Sequence, residues 1–277
     1  MKIRLWGVRG SLASPGPATV RYGGNTACVE VRGDDGTLLI LDAGTGIREL
    51  GETIPHDTRR LDLLLTHLHM DHIQGLGFFE PFHRPEMQVH IWGPPSTTLD
   101  LRTRLTRYLS PPLFPVRLRD MGAQMSFHDV PADPFSVGSF EIRGALVTHP
   151  GATVGYRITE NGSAVAYLPD HEPALGSPDF PVAPAWTSGY DLAAGADVLI
   201  HDSQYTEAEY PDHVGWGHSS IPQALAFARI AGVEQLVTFH HDPDRTDDEI
   251  DRILAEARDG QPFDVVAGAE GLETVAD

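Results

Sequence analysis

Four metal-binding side chains lie within six residues of one another, directly after an apolar run. The run Leu61-Asp62-Leu63-Leu64-Leu65 leads into Thr66-His67-Leu68-His69-Met70-Asp71-His72. If residues 61–66 form a buried strand, His67 and His69 point the same way, because side chains in an extended chain repeat every two residues. These two histidines can share one ion, while Asp71 and His72 enter a helix beside them and suit a second. The motif therefore predicts two adjacent metal ions.

Composition limits both the remaining ligands and the substrate. Cys28 is the only cysteine among 277 residues, so the other ligands must be His, Asp or Glu and no internal disulfide can form. Twenty basic against 39 acidic side chains give a net charge of −19, which repels extended polyanions unless a basic patch intervenes. We therefore expect a small substrate and consider a long nucleic acid a poor one.

The chain lacks the patterns that direct a protein to a membrane or out of the cell. No apolar stretch is long enough to span a bilayer, and the first residues, Met1-Lys2-Ile3-Arg4-Leu5-Trp6-Gly7, do not form the apolar run of a secretory signal. We expect a cytoplasmic protein without a membrane partner. A homodimer is one state that the sequence leaves open.

The order of predicted elements indicates an α/β protein. Strand-like runs at 2–8, 27–31 and 37–41 follow one another closely, whereas later runs alternate with helix-like stretches such as 222–231 and 247–259. This order favours mixed β-sheets covered by helices. We predict a single domain over residues 1–277, in which the Pro-rich stretch 81–134 is an insertion or lid.

Further candidate ligands follow three predicted strands. His149 ends the run 140–147 and precedes a proline that holds it extended, and Asp170 and His240 follow the runs 164–168 and 235–239. The carboxyl ends of strands are where α/β proteins place their sites. His149 would complete the first site, the two oxygens of Asp170 could bridge both ions, and His240 would complete the second. His240 is preferred to His241 because it continues the strand directly.

The pattern resembles that of the metallo-β-lactamase superfamily, whose motif His-x-His-x-Asp-His is matched by His67, His69, Asp71 and His72. The later positions of the family look matched by His149, Asp170 and His240. The resemblance implies an αββα sandwich, in which two mixed sheets pack face to face between helices and hold a dimetal site at one edge. Zinc suits the His-rich ligand set, and manganese or iron are alternatives.

Within this superfamily the chain is most similar to the phosphodiesterase branch. The similarity is carried by His201-Asp202-Ser203-Gln204-Tyr205 and Gly217-His218-Ser219-Ser220. It implies that His218 supports phosphodiester cleavage, that Asp202 orients it, and that Asp71 accepts a hydrogen bond from the nucleophile. A structural alternative is that His218 only caps the helix that begins near Pro222.

Four functions are consistent with these residues. The leading one is a metal-dependent phosphodiesterase for a small or cyclic phosphodiester, and the second is an endoribonuclease that trims tRNA 3′ ends. Only twenty residues separate His149 from Asp170, so the long Gly/Pro-rich arm typical of the tRNA enzymes is missing. The third is a carboxylic ester, thioester or lactone hydrolase, and the fourth is a non-catalytic metal-binding scaffold.

Two further features have an open interpretation. Five arginines form a basic segment, which we interpret as a solvated helix face rather than a phosphate-recruiting patch. They are Arg102, Arg104, Arg107, Arg117 and Arg119. Trp216, next to Gly217-His218, either stacks on a base or packs against the body of the protein.

Overall fold

Fourteen β-strands form two sheets in the part of the chain described by the computed structural model, residues 1–175, 180, 183 and 186–276. The strands are β1 (Lys2–Gly7), β2 (Cys28–Arg32), β3 (Leu38–Leu41), β4 (Arg60–Leu64), β5 (Gln88–Gly93), β6 (Gln124–Asp129), β7 (Phe135–Val137), β8 (Phe140–Leu146), β9 (Val154–Glu160), β10 (Ser163–Leu168), β11 (Val198–Asp202), β12 (Gln235–Phe239), β13 (Asp264–Ala267) and β14 (Glu273–Val275).

Each sheet has seven strands and a mixed topology. The first has the order β14-β1-β2-β3-β4-β5-β6 and is parallel from β3 to β6. The second has the order β13-β12-β11-β10-β9-β8-β7 and is parallel from β10 to β13. Because β10, β11 and β12 run the same way, the segments that follow them emerge at one edge of the second sheet.

Apolar clusters fill three layers. One lies between the sheets and the other two lie on their outer faces, where helices cover them. The α-helices of the described residues are α1 (Ile47–Thr53), α2 (Met70–Ile73), α3 (Leu101–Thr106), α4 (Tyr190–Ala193), α5 (Ile221–Ala231) and α6 (Asp247–Arg258). The predicted αββα sandwich is confirmed. None of these helices combines the length and the apolar character needed to cross a membrane.

Capping residues set the boundaries of the two longest helices close to the predicted positions. The Ser220 hydroxyl oxygen accepts the backbone N–H of Gln223, and the Gln223 side-chain oxygen accepts the backbone N–H of Ser220. At the other end of α5, Gly232 adopts the left-handed conformation and ends the helix. Thr246 and Glu249 form the same reciprocal pair at the start of α6. These boundaries were predictable because the signals are local in sequence.

The Pro-rich stretch 81–134 supplies β5 and β6, two strands of the first sheet. The segment between these two strands lies outside the sheet. That segment buries Leu105 and Phe114 in the outer apolar cluster. Its Tyr108 hydroxyl donates to the carbonyl oxygen of Gln74 at 2.7 Å, which ties it to the turn after α2.

Tyr156 links the two sheets through a buried hydrogen bond that is testable on its own. Its hydroxyl donates to the carbonyl oxygen of Leu65 at 2.7 Å. Tyr156→Phe would leave this carbonyl buried without its partner, so the free energy of unfolding in urea should fall by about 1–3 kcal/mol. Thr159→Val, on the same strand, removes a surface hydrogen bond and should cost less than about 0.5 kcal/mol. If both substitutions lowered the free energy of unfolding by the same amount, the hydrogen bond between the sheets would make no special contribution to stability.

Candidate metal centre

The histidine motif lies where β4 leaves the first sheet and turns into α2. The turn is tight because α2 has a single turn and continues as a 3₁₀ helix, Gln74–Phe78. Gly75 permits this packing, since a Cβ atom there would lie 2.2 Å from the Gly44 carbonyl oxygen. The turn buries His67, Asp71 and His72 and leaves His69 exposed at its rim.

The first group of ligand atoms comprises His67, His69 and His149, which all lie within 4.8 Å of one another. His149 comes from the segment after β8, and its Nε2 is 3.3 Å from His69 Nδ1. The Nδ1–H of His149 donates to the Gly217 carbonyl at 2.9 Å, and His67 Nδ1 lies 3.0 Å from the Thr66 hydroxyl. Both imidazoles therefore offer Nε2 as the ligand atom.

The second group comprises Asp71, His72, Asp170 and His240, and all four are buried. Here too the Nδ1–H groups are engaged by acceptors outside the group. His72 donates to Asp42 at 2.8 Å and His240 donates to the Gln204 side-chain oxygen at 2.9 Å. The Nε2 atoms again face the group, His240 Nε2 at 3.2 Å from Asp71 Oδ2.

Asp170 lies between the two groups. Its Oδ1 is 2.9 Å from His72 Nε2, and its Oδ2 is 3.3 Å from His240 Nε2. The same Oδ2 is 3.7 Å from His67 Nε2 and 3.9 Å from His149 Nε2. The structure thus brings all seven predicted metal ligands together and places the predicted bridge at their centre.

The donor set fits divalent cations. Among the described residues, the buried atoms His67 Nε2, His72 Nε2 and Asp170 Oδ1 have no hydrogen-bond partner of suitable geometry. Leaving such atoms unpaired costs about 1–3 kcal/mol each, whereas imidazole nitrogen and carboxylate oxygen are ordinary ligands of zinc and related ions. The cluster is therefore a candidate metal site on its own geometry.

Electrostatics favours the metal-binding protonation state at several of the ligands. Burial lowers the pKa of His67, His69 and His149, which favours neutral imidazoles. Burial acts to raise the pKa of the Asp170 carboxyl, but the adjacent imidazoles of His240 and His72 hold it well below its usual range. Burial acts to lower the pKa of His72, but the neighbouring carboxylates raise it well above its usual range, so a cation that binds here would displace the His72 proton.

His218 and Asp202 form a hydrogen-bonded pair at the edge of this cluster. His218 Nδ1 is 2.7 Å from Asp202 Oδ2 and 4.0 Å from Asp170 Oδ2. Burial lowers the pKa of His218, but the Asp202 carboxylate outweighs it and the pKa rises to about 9. The helix-capping alternative for His218 is excluded, because Ser220 supplies the cap of α5.

Asp202 is itself held rigidly. It is fully buried, and its oxygens accept the backbone N–H groups of His171, Gln204 and Ser219 at 3.1, 3.1 and 3.2 Å. His171 therefore contributes its backbone N–H to this pair, and its imidazole Nδ1 lies 3.0 Å from Nε2 of the buried His201. The carboxylate has little freedom to turn away from His218.

Several orienting groups escaped sequence reasoning. Asp42 and Gln204 fix His72 and His240, and the buried Glu172 accepts the N–H groups of Gly215 and Gly217 at 2.9 Å. Asp42 stands at the end of β3 and opens Asp42-Ala43-Gly44-Thr45-Gly46, which was the one available signal. Gln204 lies in the quoted segment His201 to Tyr205 but had no role assigned to it, and Glu172 is distant in sequence from the glycines that it holds.

Five other histidines lie outside the site. His90 and His128 stack on one another at 5.3 Å between ring centroids, while His56 and His83 are exposed. His241 faces away from the cluster, since its Nε2 donates to the Gly268 carbonyl at 2.9 Å.

Comparison with known proteins identifies the family. The family model described as "Beta-lactamase superfamily domain" matches residues 37–241. The chain belongs to the β-lactamase superfamily. The uncharacterized protein ML1173 of Mycobacterium leprae is 30% identical over 97% of this chain and 87% of its own length. The sequence-based assignment to a hydrolase of this superfamily is confirmed.

Two further relatives cover almost the whole chain. A ribonuclease Z of Haloarcula marismortui is 26% identical over 99% of this chain and 96% of its own length. The metallo-β-lactamase fold protein YhfI of Bacillus subtilis superimposes with a TM-score of 0.72, at 18% identity, over 99% of this chain and 98% of its own. The latter likeness bears on the fold alone.

Metal binding should stabilise the protein in a way that depends on the cluster. An ion that binds only the folded state raises stability by about 2.7 kcal/mol at a concentration of 100 times Kd. We therefore expect Zn²⁺ or Mn²⁺ to raise the Tm of chelator-treated wild type by several degrees. His72→Ala should lose most of this rise, whereas His90→Ala, a half-buried histidine outside the cluster, should keep it. An equal rise in both variants would place the ions elsewhere.

Proposed function

We propose that the chain is a dinuclear metal-dependent phosphodiesterase that acts on a small or cyclic phosphodiester. The observation that carries the proposal is the His218–Asp202 pair, bonded at 2.7 Å and adjacent to Asp170. A hydrolase that needed only metal ions would have no use for an imidazole held at this place by a buried carboxylate. Zinc is the ion that we propose first, because four imidazoles point Nε2 at the cluster.

The side chains divide the work of cleavage. Divalent ions bound in the two groups would act as Lewis acids toward the phosphodiester and the attacking water. Asp71 Oδ2 accepts the Ser11 N–H at 2.8 Å, and His72 and His240 keep its pKa below the usual range despite burial. Asp71 is therefore an anion in a fixed place, able to accept a hydrogen bond from the attacking water.

His218 would stabilise or protonate the oxygen on which charge develops. Its Nδ1–H is engaged by Asp202, which fixes the orientation of the ring and leaves Nε2 for the substrate. The Asp202 carboxylate, 2.7 Å away, favours the protonated imidazole, as a donor to a phosphoryl or leaving oxygen requires. Asp202 acts through His218 as a positioning residue.

A small substrate is favoured over tRNA by charge. The net charge is −19, and the basic segment is partly neutralised: Arg104 lies 3.6 Å from Asp129, and Arg119 lies 3.6 Å from Asp120. A tRNA would need a positive surface to offset its phosphates. The haloarchaeal ribonuclease Z relative nevertheless makes tRNA 3′-end cleavage the second candidate. Incubation with precursor tRNA and with 2′,3′- or 3′,5′-cyclic nucleotides separates the two.

His218→Ala should separate phosphodiester cleavage from other hydrolysis. We expect kcat for adenosine 2′,3′-cyclic phosphate to fall by about 10²- to 10⁴-fold, the usual contribution of a general acid or base, because its leaving ribose oxygen must be protonated. Cleavage of p-nitrophenyl acetate should change little, because its leaving group needs no proton, and the metal content should equal that of wild type. Equal losses on both substrates, or none on the phosphodiester, would contradict the role of His218 and favour an ester hydrolase.

The remaining alternative, a non-catalytic scaffold, has a separate test. Metal-loaded wild type that hydrolyses neither substrate would support it.

A further inference from the structure

Trp216 is an exposed aromatic side chain beside the candidate metal centre. Its fractional exposure is 59%, so it does not pack into the body of the protein. It directly precedes Gly217, whose carbonyl holds the His149 imidazole at 2.9 Å, and lies two residues before His218. A large apolar ring is thus kept in water next to two residues of the site.

A row of neighbouring aromatic rings connects Trp216 to His218. The Tyr205 ring meets the His218 ring edge-on, with 6.1 Å between the ring centroids, and stacks on the His213 ring, with 4.2 Å between the centroids. His213 in turn meets the Trp216 indole edge-on at 4.8 Å. The row begins at the proposed catalytic imidazole and ends at the surface, which places the indole on the rim of the site.

The backbone that carries Trp216 is clamped on both sides. The buried carboxylate of Glu172 accepts the N–H of Gly215 at 2.9 Å and that of Gly217 at 2.9 Å. Gly217 has a φ of +89°, and a Cβ atom there would lie 2.3 Å from His149 Nδ1. The main chain therefore cannot shift without disturbing a metal ligand, while the indole face stays open. A rigid aromatic surface of this kind loses little entropy when it binds a flat ring.

We propose that Trp216 is a specificity-determining residue that stacks on a nucleobase of the phosphodiester substrate. The inference rests on the proposed phosphodiesterase function and narrows its substrate to nucleotides. Stacking needs no positive charge, which suits a chain with 39 acidic and only 20 basic side chains. The base would lie on the indole while the phosphodiester occupies the metal cluster.

The test compares two substrates that differ only in the base. Adenosine 2′,3′-cyclic phosphate and 1-O-methylribose 2′,3′-cyclic phosphate present the same reacting phosphorus. In metal-loaded wild type we expect kcat/KM to be about 10- to 100-fold higher for the adenosine substrate, mainly through KM, since stacking of one base is commonly of this size. Trp216→Ala should abolish the preference by weakening the adenosine reaction alone, and Trp216→Phe should retain most of it.

Val214→Ala is the matched control, because Val214 is an exposed apolar residue of the same loop. It should keep both the preference and the rates. Calorimetric titration with adenosine 3′-monophosphate and with ribose 3-phosphate reads the same preference without turnover, and Trp216→Ala should remove it there as well. Equal losses on both substrates, or an unchanged preference in Trp216→Ala, would overturn the stacking role. Hydrolysis of neither substrate by wild type would contradict the phosphodiesterase function itself.

Discussion

The buried carboxylate of Asp170 is the group around which the site is organised. It is 1% exposed, and its oxygens lie within 4 Å of imidazole nitrogens from His67, His72, His149 and His240. A carboxylate is costly to remove from water unless charge or hydrogen bonds compensate it. The surrounding imidazoles provide part of this compensation, and divalent cations between them and the carboxylate would provide more. The fold thus buries a carboxylate at a place where a bound cation would stabilise it.

Both sheets contribute residues to this site, and the buried carboxylate of Asp42 links them through hydrogen bonds. Asp42, at the end of β3, accepts from Thr66, from His72 and from the hydroxyl of Tyr167 on β10, at 2.7–3.0 Å. Asp42 and His240 both have a φ near +57° to +58°, a conformation that is strained for residues other than glycine. Such strain is maintained only where surrounding contacts determine the backbone, and here those contacts orient two predicted metal ligands, His72 and His240. The loop that carries Trp216 is tied to the same site, because Glu172 binds the Gly217 N–H and the Gly217 carbonyl holds His149.

The sequence predicted the candidate metal ligands but missed most of the groups that orient them. The His67 to His72 motif lies within a few residues, and the helix-like stretches 222–231 and 247–259 are continuous segments, so both are visible in the sequence. His149, Asp170 and His240 were identified because each follows an apolar strand, and the structure brings their side chains together. Short edge strands such as β7 and β14 were not predicted, because a strand of three residues is too short to show an alternating pattern. Gln204, Glu172 and the Gly217 carbonyl act through contacts made only after folding.

The number and position of bound ions test this picture most directly. Anomalous diffraction at the zinc or manganese edge, from crystals of metal-loaded protein, would show them without reference to a substrate. A dinuclear centre predicts two peaks about 3.5–4 Å apart, one among His67, His69 and His149, the other among Asp71, His72 and His240, with Asp170 between them. A single peak, or peaks away from Asp170, would contradict it.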